Sequence, residues 1–419
     1  MGMAKENPRS TPTRRGLLIG GAAALGVAAF GAEPAWAGTR APVSGGGVLG
    51  RRLYDVVRAF SRWPTHRTGS GPEKATLDWF ESELRRRGAT TSQWEYSFPH
   101  YEWTAQVRVG GRLVDTVPLY YEGVGSVRSD APFVRPVTIT DTHGDANVLA
   151  AVKQAKAENA SLAVLPVFNA IQGYPTYDGL VADNRDPAAV TTGVPTLFIP
   201  GRLADQAQRG VQARIDAHVV NDRSHDIIGW FGKPVSDPII VTTPLSGWFT
   251  CAAERGSGIA VALELAADLA RTHPVFVLGN SGHELNNYGV RAYLQDAFDL
   301  QPRAVIHIGA SIAAGATDPA SGRFELASSR VVASNPPISS VPGLATAVQA
   351  GRFGPTPTFP GEGAVWHQRL GSSVPLLSFA GQFPQFHTPD DRPGVTTTPA
   401  LLDTAYRSVH SATLALIGA

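Results

Sequence analysis

Three short segments of this chain carry polar residues able to do chemistry, and two of them directly follow an apolar run. The first is Ser246-Gly247-Trp248-Phe249-Thr250-Cys251-Ala252-Ala253-Glu254-Arg255-Gly256-Ser257-Gly258. The second is Ser281-Gly282-His283-Glu284, and the third is Phe386-His387-Thr388-Pro389-Asp390-Asp391. Carboxylates and imidazoles gathered in one place can ligate a metal or move protons. Arg255 offers two roles: a clamp for a substrate carboxylate, or a partner for Glu254 that replaces a metal altogether. Gly279-Asn280-Ser281-Gly282 lacks the Gly-x-Ser-x-Gly spacing of a nucleophile elbow, which argues against a serine hydrolase. His283-Glu284-Leu285-Asn286-Asn287 is not the zinc-peptidase helix motif, because Asn287 stands where the second His belongs. Cys251 is the sole cysteine, so it excludes an intrachain disulfide and a multi-cysteine zinc site, and it reads as small buried filler.

The elements that must position these segments alternate. Strands are expected at 238–243, 275–279, 304–308 and 374–379, and helices at 257–271, 287–298, 343–351 and 399–416. In the first of these helices Ile259, Ala262, Leu263, Ala266 and Leu269 share one face. The pattern predicts an α/β fold: a mixed, mainly parallel sheet sandwiched by helices, with ligands at the C-terminal strand ends. Upstream, 49–61 and 72–87 have helical spacing, with Leu77, Phe80 and Leu84 as a buried stripe and Arg85-Arg86-Arg87 as a solvated helix end. Residues 107–226 read differently, with β runs at 136–140, 163–167 and 195–199, a helix at 147–158 and a long loop over 168–192. This block is expected to be a β-rich module inserted into a larger domain whose parts are 38–106 and 227–419. Asp141, His143 and Asp145 within it could ligate a metal, but they read first as a polar turn after a strand.

Composition excludes broad classes of function. The chain has 419 residues and 36 Lys+Arg against 35 Asp+Glu, so there is no general attraction to nucleic acid or to an anionic membrane. Residues 1–37 carry Thr13-Arg14-Arg15-Gly16-Leu17-Leu18, an apolar run to Phe30, and Ala35-Trp36-Ala37, the pattern of a cleaved twin-arginine export signal. The run is too short and Gly-rich for a stable membrane span. The expected location is secreted or cell-envelope.

Several of these segments, in order, resemble metallopeptidase family 28, the zinc aminopeptidases and carboxypeptidases that include the glutaminyl cyclases. The carriers are Arg67-Thr68-Gly69-Ser70, the Gly193-Val194-Pro195-Thr196-Leu197-Phe198-Ile199 stretch, Ala252 to Gly258, Gly282-His283-Glu284-Leu285 with Gly289-Val290-Arg291-Ala292-Tyr293, and His387-Thr388-Pro389-Asp390-Asp391. The resemblance implies that 107–226 is a protease-associated domain. It places Glu254 at the metal-bridging Asp, Glu284 at the Glu ligand, His387 at the last His ligand and His283 at the general-base Glu. Glu362 falls near the pocket-lining segment before the last strand. This chain departs from the pattern where Pro244-Leu245-Ser246 stands for a His-x-Asp, and where Gly309 stands for an Asp. His307, two residues before Gly309 on the same strand face, reads as a packed, hydrogen-bonded histidine.

The losses fall on one of the family's two metals, so the first expectation is a single zinc held by Glu254, Glu284 and His387. Two oxygens, one nitrogen and an open position suffice for a catalytic zinc. His283 would transfer protons, with Arg255, Glu362 and Trp248 contacting a peptide or amide substrate. The resemblance then implies aminopeptidase-type hydrolysis or a cyclisation like that of glutaminyl cyclases. The second expectation is a metal-free protein that binds a peptide or small molecule through Arg255, His283 and Trp248. The third is metal-free acid/base chemistry by His283 and Glu284.

Overall fold

Apolar runs without alternation need burial on both faces. In the computed structural model, which describes residues 46–189 and 193–418, they lie at the centre of a sheet. The export segment expected over 1–37 lies outside the described residues. Strands Val275–Asn280, Ile239–Pro244, Ala304–Ile308 and Leu376–Gly381 stand side by side in that order, all parallel. Alternate residues feed two cores: Ile239, Val241, Val275, Val277, Ile306 and Ile308 enter one, and Ile240, Phe276, Leu278 and Val305 the other. Helices Gly47–Phe60, Ser257–Leu269 and Pro399–Ile417 contribute to the first core. Helices Tyr288–Asp296 and Glu362–Leu370 contribute to the second.

The sheet is mixed because antiparallel strands flank its parallel centre. Arg330–Asn335 pairs antiparallel with Leu376–Gly381, and Val211–Phe231 pairs antiparallel with Val275–Asn280. Val211–Phe231 also pairs along its length with Thr90–Val109, from Thr90 opposite Trp230 to Val109 opposite Val211. These two strands carry the chain out to residues 110–210 and back. There a second sheet forms from Val117–Pro118, Thr196–Pro200, Ala163–Asn169, Phe133–Val134 and Val137–Ile139. The described residues belong to one compact unit, Arg40–Ala419. The sequence boundary at 107 falls inside the 20-residue strand Thr90–Val109, so the module is joined by paired strands and not by a linker.

Local signals account for the element ends. Ser70 caps Gly71–Arg86 by accepting a hydrogen bond from Glu73 N, with Pro72 in the first turn. Thr398 does the same for Pro399–Ile417, accepting from Leu401 N, and Gly418 ends that helix in the left-handed region. Arg85 pairs with Glu81, and Arg86 and Arg87 with Glu83, so this basic cluster is a helix end as its spacing predicts. The polar turn expected at 141–145 is a cap: Asp145 accepts from Asn147 N and Thr140 N, starting the helix Ala146–Ala157.

Candidate functional site

The site collects at the C-terminal ends of the parallel strands. After Ile239–Pro244, the chain turns through Cys251, at φ 49°, into a single π-helical turn, Ala252–Gly256, that opens the helix Ser257–Leu269. Such turns cluster at functional positions. This one is held from outside: Ala253 N and Glu254 N donate to the two carboxylate oxygens of Asp391, at 2.8 and 2.9 Å. Glu254 is thereby aimed inward, and its side chain is fully buried.

The Glu254 carboxylate meets a cation belonging to the chain itself. Arg255 Nη2 lies 3.0 Å from Glu254 Oε1, with both side chains wholly buried, and Arg255 Nε donates to the Ser246 carbonyl at 2.8 Å. His387 Nε2 lies 3.4 Å from the same Oε1, and neither approach is aligned as a hydrogen bond. Glu254 Oε2 accepts from His387 N at 3.2 Å. Burial raises the Glu254 carboxyl above its ordinary range, and Arg255 opposes that shift. His387 is held well below its ordinary range, by burial first and then by charge from His143 and Arg255. Its Nδ1 donates to the Ala182 carbonyl at 3.3 Å, which leaves Nε2 as the unprotonated nitrogen facing Glu254.

Glu284 is turned away from this pair. Its Oε1 accepts from Thr68 N at 2.6 Å and its Oε2 from Ser246 Oγ at 2.7 Å. Ser246 Oγ also accepts from His283 N at 3.0 Å, so the serine found in place of a His-x-Asp ligand pins the neighbouring segment. At Gly309, an added Cβ would stand 2.8 Å from His307 Cε1 and 2.9 Å from the Phe379 carbonyl. The position therefore has no room for an Asp, and His307 fills it, bonded to Ser378 Oγ at 2.8 Å.

His283 does not pair with Glu284. Its Nδ1 lies 3.1 Å from Glu362 Oε1, while Asn280 Nδ2 donates to Glu362 Oε2. Burial, and then the Arg255 charge, lower His283. Glu362 is lowered too: contacts from His283 and His307 outweigh the upward pull of burial. At neutral pH this is a neutral imidazole donating Nδ1–H to a carboxylate, leaving Nε2 free to accept a proton.

Of the residues expected to touch substrate, Arg255 and Glu362 are fully buried. Trp248 is nearly so, with Nε1 donating to Asn184 Oδ1 at 2.8 Å. None presents surface to a ligand in this conformation. Sequence reasoning assigned no role to Asp391, Ser246, Thr68 or Asn184. Asp391 had a signal as the last residue of the His387 to Asp391 motif, Thr68 as part of Arg67 to Ser70 and Ser246 as the start of the first polar segment; Asn184 had none.

A zinc triad does not fit these residues. Among the described residues, no three His, Cys, Asp or Glu side chains are gathered as metal ligands. Glu254 Oε1 and His387 Nε2 face each other and neither has an aligned hydrogen bond, but Glu284 is occupied and the Arg255 guanidinium forms an ion pair with Oε1. In this arrangement the third expected donor is turned away, and a fixed positive charge stands beside the first.

Comparison with solved structures places the fold. The chain is similar to a zinc aminopeptidase from Bacillus subtilis, at 14% identity and TM-score 0.64, covering 87% of this chain and 94% of that one. It is similar to a peptidase M28 precursor from Shewanella amazonensis, at 15% identity and TM-score 0.60, over 88% and 95%. An aminopeptidase from Aneurinibacillus matches at 17% identity and TM-score 0.52, over 88% and 93%. No family profile matches the sequence, and no curated protein matches it. The chain has the fold of these aminopeptidases: a mixed α/β sheet flanked by helices, as the sequence resemblance implies.

Beside the site, Glu73 gives a pH-dependent prediction. It is buried, accepts from Gly69 N at 2.9 Å and Ser224 Oγ at 2.8 Å, and pairs with Ser281 Oγ. Burial, the largest cause, raises its carboxyl to about 7, with Glu284 repelling it; Asp226 and Tyr96 are charged or ionisable neighbours. The folded value is raised above the unfolded one, so between about pH 4.5 and 7 the native state keeps a proton that the unfolded chain releases. The stability contributed by Glu73 therefore falls as pH rises through that window. Glu73→Gln should gain on the wild type by about 2–3 kcal/mol between pH 5 and 8 in urea unfolding. An equal offset at both pH values would show that Glu73 titrates normally.

Proposed function

We propose that this chain is an exported, metal-free protein on an aminopeptidase scaffold, which binds a peptide or amide ligand and does not cut it through zinc. The observation that carries this reading is the fully buried Glu254–Arg255 ion pair, formed where the resemblance expects a metal-bridging carboxylate. A guanidinium supplies the charge that a divalent ion would, but it offers no open position for water or a carbonyl. Export is supported by the twin arginines and the Ala35-Trp36-Ala37 site in the sequence. The second sheet is read as a protease-associated module on the strength of Gly193 to Ile199. Among the described residues no helix is long and apolar enough to cross a membrane.

A second reading, metal-free proton transfer, is favoured by the His283–Glu362 contact. One experiment separates the readings: zinc content by mass spectrometry after equilibration with zinc, with peptide binding and peptide hydrolysis measured on the same sample. The expected result is far less than one zinc per chain, binding by calorimetry and no cleavage. Hydrolysis that survives chelation and is lost in His283→Ala would favour the second reading. One zinc per chain, lost in a Glu284→Ala, His387→Ala double variant, would overturn both and restore the single-zinc enzyme.

A further inference from the structure

The side chains of the site are buried because a segment of the second module lies over them. Beyond the strand Ala163–Asn169, the chain crosses the strand ends, and from Asp178 to Asp186 it has neither helix nor strand. It is tied down along its path. Tyr177 Oη donates to Asp390 Oδ2 at 2.8 Å, and Asn184 Oδ1 accepts from Trp248 Nε1 at 2.8 Å. Asp186 Oδ2 accepts from Asn286 Nδ2 at 2.7 Å. Two backbone amides complete the attachment: Ala182 N donates to the His387 carbonyl at 3.0 Å, and Arg185 N to the Glu284 carbonyl at 3.1 Å.

Those last two bonds are the kind a bound peptide makes. The segment presents main-chain N–H groups to carbonyls of the two residues that border His283 and Glu254, and so takes the ground a ligand backbone would take. It also carries a group that favours release. Asp183 is fully buried; its Oδ1 accepts from Gly144 N at 2.9 Å, while its Oδ2 has no partner. A buried carboxylate oxygen without a donor is unfavourable, and it regains water if the segment lifts. The charged and titratable groups facing Asp183 are His143, Arg185 and Asp141, and burial raises its carboxyl to about 7. At the outer end, His143, Leu149, Arg185, Asp186 and Asn286 line a cavity of about 330 Å³ from which a ligand could enter beneath the segment.

We propose that residues 178–186 are an internal latch, which closes the cleft by standing in for a peptide backbone and must lift before a peptide or amide ligand reaches His283. This rests on the reading that the cleft takes such a ligand, but the latch is tested separately. Hydrogen exchange of the full chain, followed by mass spectrometry, should show 178–186 opening well before the strands Ile239–Pro244 and Ala304–Ile308. Tyr177→Phe removes one tie and should speed that opening about fivefold, the worth of one hydrogen bond. Asp183→Asn removes the buried charge and should slow it about tenfold at pH 8. Opposite signs from two conservative variants cannot come from general destabilisation. Exchange of 178–186 only together with the central strands, unmoved by either variant, would overturn the latch. Leucylglycylglycine is the ligand probe: tighter binding to Tyr177→Phe than to the wild type is expected. If it binds neither while 178–186 opens as described, the ligand reading fails and the latch stands.

Discussion

Arg255→Met should lower stability by about 3–5 kcal/mol and make what remains responsive to zinc. Breaking a buried ion pair from one side leaves an uncompensated charge, and this is where the cost arises. Here the charge left behind is Glu254, fully buried, with the unprotonated His387 Nε2 at 3.4 Å from its Oε1. Burial already raises the Glu254 carboxyl, so in the variant it would take up a proton and share it with His387, which sets the upper limit of the loss. The double variant Glu254→Gln, Arg255→Met should be more stable than Arg255→Met alone, because it removes both charges. Zinc sharpens the test. Two ligands on one tetrahedral zinc stand about 3.4 Å apart, the spacing these two acceptors already have. With the guanidinium gone, added zinc should recover part of the lost stability in the single variant and none in the wild type. Urea midpoints measured with chelator and with zinc check this; the same zinc response in both proteins would mean that Arg255 does not hold the cation position.

Much of this arrangement was legible in the sequence where local chemistry decides it. Ile239 to Val241 and Val275 to Leu278 are apolar without alternation, and they lie in the buried parallel strands that the pattern predicts. Pro72 and Pro399, each after a hydroxyl cap, fixed helix starts within a residue or two. Illegible were features set by partners distant in sequence. The strand Thr90–Val109 alternates exposed and buried residues and contains Pro99, so it reads as broken segments; its continuity comes from pairing with Val211–Phe231. Glu362–Leu370 carries Gly363 where a side chain would collide with Ser378, so its helical character is hidden by a packing requirement.

The candidate site divides in the same way. That Glu254, His387 and Arg255 meet follows from motif order, and the pairing of Arg255 with Glu254 was among the possibilities their adjacency raised. That Glu284 does not join them depends on Thr68 and Ser246, one 216 residues upstream and the other on a different strand end. His283 likewise has Glu362 as its partner, brought near by a helix the sequence conceals. A ligand set inferred from spacing gives the identities of the candidates. Which carboxylate is free to bind is decided by hydrogen bonds across the fold.

Asp391 shows how strongly such a bond can govern the site, and its removal should be the most damaging change outside the ion pair. Asp391→Ala is expected to cost about 3–5 kcal/mol. The side chain is fully buried and accepts from Ala253 N, Glu254 N and Thr396 Oγ1. Losing it strands two buried amides, each worth about 1–3 kcal/mol when unpaired, while the Thr396 hydroxyl keeps the Arg392 carbonyl at 3.1 Å. Asp391→Asn should be nearly as harmful, since its single carbonyl oxygen can serve one of the two amides while its NH2 opposes the other. Burial raises the Asp391 carboxyl to about 7. The protein therefore tolerates an expensive acid at a place where an amide of the same shape would be neutral. That makes sense if two acceptor oxygens are needed to hold the Ala252–Gly256 turn, and through it Glu254 against Arg255. Urea unfolding of both variants checks the claim. Asp391→Asn within about 0.5 kcal/mol of the wild type would show that the turn holds its own shape, and that the position of Glu254 does not depend on Asp391.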